Sequence, residues 1–256
     1  MLHEHLKLTS KKDDDDKKGA GCWPAAAVFS FLWVCFASWM WPWSIEPFTV
    51  FSLWSPAPGV ASWDLDGWGR TALPIFVWGV GVTLYFQLSN KTNMASYEER
   101  LAQRNAEQHF LGGVVVSVWA GMAEELAFRW CFFLSAIIGC KVFNWMFFGF
   151  LGFGISEHLY LWILGPVANF FTLGAMENWL FHPAHWAIGA AILAANARFR
   201  DGHKYQGLLG YLNSWFIGMF LFWCMFKFGL LGAIAIHFFY DFLIYTTVYL
   251  VRVAKR

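Results

Sequence analysis

Between Trp23 and Val251 the chain is a train of apolar runs, and charge is almost confined to the segments between them. One helical crossing of a bilayer takes about 20 apolar residues, and inside lipid only helices or closed barrels keep every backbone polar group paired. The pattern points to a polytopic, all-α transmembrane helix bundle. Composition agrees, with 58% hydrophobic, 21% aromatic and 14% charged residues, against roughly 25% charged in soluble domains. Disorder, a coiled coil and a small disulfide scaffold are excluded on the same grounds. A net charge of +1 offers no basic footprint for nucleic acid. Cys22, Cys35, Cys131, Cys140 and Cys224 are scattered without metal-ligand spacing and read as small apolar residues.

Four regions follow. Residues 1–21 form a polar cytoplasmic tail whose Asp13 to Asp16 block between lysines is tag-like. Residues 22–110 hold two expected spans, 23–43 and 71–89. A loop rich in Pro, Gly and Trp joins them, with aromatics suited to the membrane interface, and the polar stretch 90–110 follows. Residues 111–251 form the core, with expected spans at 111–139, 142–164, 166–182, 183–197, 208–226 and 229–251. Residues 252–256 are a basic tail. The segment 166–182 is short for a crossing, and positive charge decides its treatment. If it does not cross, seven spans leave 9 basic residues inside and 8 outside. If it crosses, about eight spans leave 14 inside and only Arg70, Lys141 and Lys227, 3 in all, outside. About eight crossings with both termini cytoplasmic are therefore expected, in a multi-pass protein of the cell membrane.

The ionisable residues inside the runs carry the functional information. A charge at mid-bilayer costs at least about 2.5–3.5 kcal/mol, so several in one chain should converge in a polar interior. Glu125 and Arg129 are four apart and share a helix face, where the guanidinium neutralises the carboxylate. Glu124 lies about 100° round the helix and is left for other partners, as a general base requires. His237 and Asp241 repeat the four-residue spacing, and the Asp can fix the imidazole tautomer. Glu157 and His158 form another polar pair. If a turn lies near Cys140, His158 and Glu124 fall at similar depths, about 24 and 22 Å along their helices. His182 reads as a helix-start residue and Glu177 as a solvated boundary residue. HExxH, Walker and GxGxxG motifs are absent from the sequence, as is any internal repeat.

This set resembles the CPBP group of glutamic intramembrane proteases, which includes the CAAX prenyl endopeptidases, over residues 111–250. Glu124, Glu125 and Arg129 match its EExxxR motif, Phe181 and His185 its FxxxH motif, and His237 and Asp241 its HxxxN/D motif. The related PrsW proteases are echoed by the glycine-rich stretch Gly149 to Glu157. His158, with Phe153 five residues before it, is the alternative second-motif histidine, with Glu157 beside it. The resemblance implies water attack on a peptide carbonyl. Glu124 and His185 or His158 activate the water, and His237 stabilises the oxyanion. Asp241 holds His237, and Glu125 with Arg129 forms the supporting pair. An ionised Asp cannot donate to an oxyanion, so orientation is its expected part. The implied partners are the lipid bilayer and a membrane-anchored or prenylated peptide or protein substrate, with no cofactor.

Two other readings share these residues. In one, Glu124, His158, His185 and His237 bind zinc in a metal-dependent membrane hydrolase, a ligand set that suits the ion. In the other, the chain is a catalytically idle relative or a proton-coupled carrier, although carriers often show repeated halves. The charge bias makes a first test. A reporter fused after Arg256 should be active in the cytoplasm, and an extracytoplasmic reporter would overturn the assigned orientation.

Overall fold

The computed structural model describes residues 23–61, 63–89 and 106–255, and every regular element among them is helical. The tail 1–21, Cys22, the polar stretch from Lys91 to Arg104, and Arg256 lie outside the described residues. In chain order the main helices are α1 (Trp23–Met40), α2 (Leu65–Ser89), α3 (Ala106–Glu124) and α4 (Phe133–Phe147). They are followed by α5 (Ile155–Leu159), α6 (Gly165–Phe171), α7 (Glu177–Leu180), α8 (Trp186–Gly202) and α9 (Gly207–Ala254). Three helical stretches, Leu65–Leu88, Phe110–Phe147 and Gly207–Ala254, are long and apolar enough to cross a membrane. The outside of the bundle is apolar: Trp39, Trp145, Trp162, Phe170 and Leu173 are all exposed. A water-soluble fold rarely tolerates such a continuous apolar exterior, whereas lipid is its natural solvent.

The expected turn near Cys140 is not there. The helix runs from α3 through a π-helical stretch, Glu125–Phe132, into α4, and Cys140 sits inside α4. The break comes at 148–154, where Gly152 and Gly154 adopt left-handed φ of 70° and 56°. The span expected at 142–164 is therefore cut in two. The one expected at 166–182 is also broken, between α6 and α7, at Leu173 (φ 52°) and Gly174 (φ 77°). Tyr160 donates to the carbonyl of Leu180 at 2.8 Å, so the chain from α5 to α7 goes out and comes back to its own level.

The last stretch folds on itself. Within α9 only Gly229 is non-helical (φ 77°, ψ 171°). Asn213 Nδ2 lies 3.4 Å from the hydroxyl of Tyr240, a contact that a straight helix of that length could not make. Residues 207–228 and 230–254 are thus two antiparallel arms, as the sequence leads one to expect at Lys227 and Gly229. The segment after α1 closes over this turn. Ala57 N–H donates to Lys227 O at 3.0 Å, and Trp130 donates its indole N–H to Val50 O. Phe48 stacks among Phe133, Trp179 and Phe226. The loop is partly core: Ile45 and Leu53 are buried. Lys141 Nζ donates to Trp43 O and Lys227 Nζ to Thr71 Oγ1, so both lysines gather at this end of the bundle. The α3 helix packs along α9, and α8 packs between α4 and α9.

Gly229 supplies a conformation that L-residues adopt at a cost of about 1–2 kcal/mol. A Cβ there would also lie 2.7 Å from the Trp54 carbonyl oxygen. Gly229→Ala should therefore melt clearly earlier in detergent than the parent. Gly81→Ala is the control, because Gly81 has open space around it and Ala is favoured over Gly in a helix interior. That variant should melt no earlier than the parent.

Candidate active site

The buried ionisable groups meet where the π-helical stretch faces α8 and the second arm of α9. Glu125 and Arg129 are both fully buried, with Arg129 Nη1 2.9 Å from Glu125 Oε1. The same oxygen accepts from His237 Nδ1 at 2.7 Å. A carboxylate only accepts, so Nδ1 carries the proton and Nε2 is the ring nitrogen left for other partners. Nε2 faces Asp241 Oδ2 at 3.7 Å. Glu125 rather than Asp241 thus makes the hydrogen bond that fixes the His237 ring. Arg129 is held further by Gly218 O at 3.4 Å and by the ring of Phe199, whose centroid lies 4.0 Å from Cζ. Cation–π contact strengthens once water is gone.

Glu124 takes no part in that pair. Its Oε2 is buried without a hydrogen-bond partner among the described residues, and it faces His203 Nε2 at 3.9 Å. His203 Nδ1 lies 2.8 Å from Phe199 O. A carbonyl oxygen only accepts, so Nδ1 donates and Nε2 is the nitrogen turned to Glu124. The Phe199 ring touches the His203 ring at 4.6 Å between centroids and stands edge-on to His237 at 6.1 Å. One aromatic ring therefore covers the guanidinium and lies beside both imidazoles.

Glu124, His203, His237 and Asp241 line a common cavity of about 520 Å³, walled by α2, α3 and both arms of α9. That volume suits a small ligand or a short piece of extended chain.

The structure brings together Glu124, Glu125, Arg129, His237 and Asp241, and it leaves out three of the other candidates. His185 caps the start of α8, accepting from Ala187 N–H at 3.0 Å. His203 follows the far end of that helix, about 25 Å away along it. Glu157 and His158 are exposed at the start of α5, and His158 Nδ1 is engaged by Gly154 O at 2.9 Å. With no turn at Cys140, the equal-depth argument for His158 fails. The four zinc ligands considered from sequence are likewise not brought together. No group of three or more His, Cys, Asp or Glu among the described residues is arranged to hold a metal ion.

His203 is the residue that sequence reasoning missed. It sits in the polar run Arg198 to Gln206, which reads as a solvated loop. The run is instead the end of α8, and its charges are largely satisfied locally. Asp201 accepts from Arg200 at 2.9 Å and from Tyr211 at 3.1 Å. Burial pushes the Asp201 carboxyl up, but these bonds outweigh it and hold the group below its ordinary value. The available signal was spacing, since Phe199 and His203 also form an FxxxH pattern.

Comparisons of the chain with protein-family models, with curated proteins and with solved structures find no match, and the site has to be read from its own chemistry. The Glu125–Arg129 pair makes the sharpest stability test. Removing one partner of a buried pair costs about 3–5 kcal/mol. Glu125→Gln should therefore accumulate poorly and melt early, and Glu125→Gln with Arg129→Met should recover part of the loss. A Glu125→Gln protein as stable as the parent would show that the pair does not hold the site.

Proposed function

We propose that the chain is a multi-pass intramembrane endopeptidase of the glutamic type, hydrolysing a peptide bond of a membrane-associated substrate without a metal. One observation carries this reading. A half-buried carboxylate with one oxygen left without a hydrogen bond, Glu124, and two imidazoles with assigned tautomers share a single cavity inside an apolar bundle. A peptide bond entering that cavity meets a base, a water-positioning histidine and an anchored second histidine. Glu124 takes the proton of a water held between it and His203 Nε2, and the water attacks the carbonyl carbon. His237, fixed through Nδ1 by Glu125, offers the cavity an accepting Nε2, so it shapes the wall and is not the donor to the developing charge. Arg129 offsets the Glu125 charge away from the reacting groups, which leaves Glu124 as the carboxylate that can act as base.

The reading keeps the resemblance to the CPBP proteases, with Phe199 and His203 as the second motif in place of Phe181 and His185. It also keeps both termini in the cytoplasm of a cell-membrane protein. The number of crossings remains even, because the broken segment α5–α7 goes out and returns on the same side. The substrate is a membrane-anchored peptide or protein.

The test is co-expression with a library of single-span substrates, scored for cuts made by the parent chain. Glu124→Gln should abolish cleavage, and His203→Ala should lower it by about 10²-fold or more. His185→Ala should keep it, losing only about 1 kcal/mol of helix capping. Purified protein should cut equally well in excess phenanthroline. Loss of cleavage there, restored by zinc, would replace this reading with the metal-dependent one. Full cleavage by Glu124→Gln would end it.

A further inference from the structure

The proposed hydrolysis puts negative charge on a carbonyl oxygen, and sites of this kind are most effective when preorganised donors converge on that atom. The donors identified so far are few. The Nδ1 proton of His237 is committed to Glu125. Asp241, one helical turn further on, offers a carboxylate that only accepts when ionised. Ser214, also on the cavity wall, donates to Gly210 O at 2.8 Å.

Tyr240 is placed differently. It lines the same cavity on the same arm, three residues after His237 and next to Asp241, so it sits on the face these residues share. Its ring is seated against α2 at Gly79. A Cβ at that glycine would lie 2.6 Å from the ring, and any larger residue would expel it. Its hydroxyl oxygen is also fixed. Trp78 Nε1–H donates to Asn213 Oδ1 at 2.9 Å, which settles which end of the amide carries the NH₂ group. That group then donates to the Tyr240 oxygen at 3.4 Å. A phenol that accepts from one side keeps its own O–H free to donate on another. Three residues from three helical segments thus hold one hydroxyl on the cavity wall with its proton uncommitted.

We infer that Tyr240 is a further catalytic residue of the endopeptidase reading, on which this inference rests, and that its O–H donates a hydrogen bond to the carbonyl oxygen of the scissile peptide. The proton ledger closes without Tyr240 ionising. Water adds to the carbonyl carbon as Glu124 accepts its proton, and the carbonyl electron pair moves to oxygen. The oxyanion is held by the Tyr240 O–H. Collapse restores the carbonyl and breaks the C–N bond, and Glu124 passes its proton to the leaving amine. The new carboxyl group and the amine are the products, and Tyr240 keeps its proton throughout. Trp78 and Asn213 are positioning residues in this arrangement.

The experiment uses the full chain and any substrate that the parent cuts in the co-expression library. It compares Tyr240→Phe, Asn213→Ala, Tyr249→Phe and Glu124→Gln for kcat, KM and melting temperature. Tyr240→Phe keeps the ring on Gly79 and deletes only the hydroxyl. It should lower kcat by about 10²–10³-fold, the loss that follows removal of one oxyanion donor, with KM and melting temperature near those of the parent. Asn213→Ala should give a smaller loss in kcat, because the phenol stays and only its alignment goes. Tyr249→Phe removes a phenol hydroxyl outside the cavity, on a ring packed against Phe110, and should stay near parental activity. Full kcat in Tyr240→Phe beside a dead Glu124→Gln would overturn this inference and leave the endopeptidase reading standing. So would an equal loss in Tyr249→Phe, or a Tyr240→Phe loss tracked by an equal loss of thermal stability. A parent that cuts nothing, or an active Glu124→Gln, would remove the endopeptidase reading and the role of Tyr240 with it.

Discussion

The Glu125 carboxylate is the point from which the interior of this bundle is organised. It is fully buried, and one of its oxygens serves both Arg129 and His237. A lone carboxylate at that depth is untenable, and so is a lone guanidinium. Each therefore requires the other, and together they fix a histidine that arrives from a helix more than a hundred residues later. The ring of Phe199 completes the arrangement by covering the guanidinium and lying beside two imidazoles. Four segments, the π-helical stretch, α8 and both arms of α9, are brought into register by this one buried charge. The π-helical stretch begins at Glu125 itself, and wide turns of this kind are frequent at functional sites.

Much of this was legible in the sequence wherever both partners lie on one helix. Glu125 with Arg129, and His237 with Asp241, follow from a spacing of four, and Glu124 falls off the paired face by the same geometry. The two arms of α9 were legible because Lys227 and Gly229 interrupt an otherwise unbroken apolar run. Contacts between helices were not. That His237 gives its hydrogen bond to Glu125 rather than to its own helix partner depends on packing, on which residue spacing is silent. His203 was hidden by its neighbours, since Arg198, Arg200, Asp201 and Lys204 make the segment look like a solvated loop. The place of the break after α4 was hidden as well. Apolar runs carry no internal punctuation, and Gly149, Gly152 and Gly154 mark a turn only once the chain is known to reverse there.

The cavity is a product of the same economy of charge. Glu124 has no cation of its own among the described residues and meets His203 only at the end of α8. His237 is tied down from behind, so its remaining face and Asp241 look into the space that α2 closes. Apolar side chains such as Val82, Phe86, Leu208 and Ile217 share the lining with polar ones from α2 and the first arm, Gln87 and Ser214 among them.

The loop between α1 and α2 has a consequence for how such a chain comes together. Its buried residues, Ile45 and Leu53, and the stacked Phe48 find their partners on α4, on α7 and at the turn around Gly229. Those partners leave the ribosome long after the loop does. Until the final hairpin is in place, the loop has only part of its seat. A loop made early is thus the last to settle. A polypeptide halted before residue 229 would hold its membrane helices but display an unseated aromatic segment, a mark by which unfinished copies differ from finished ones.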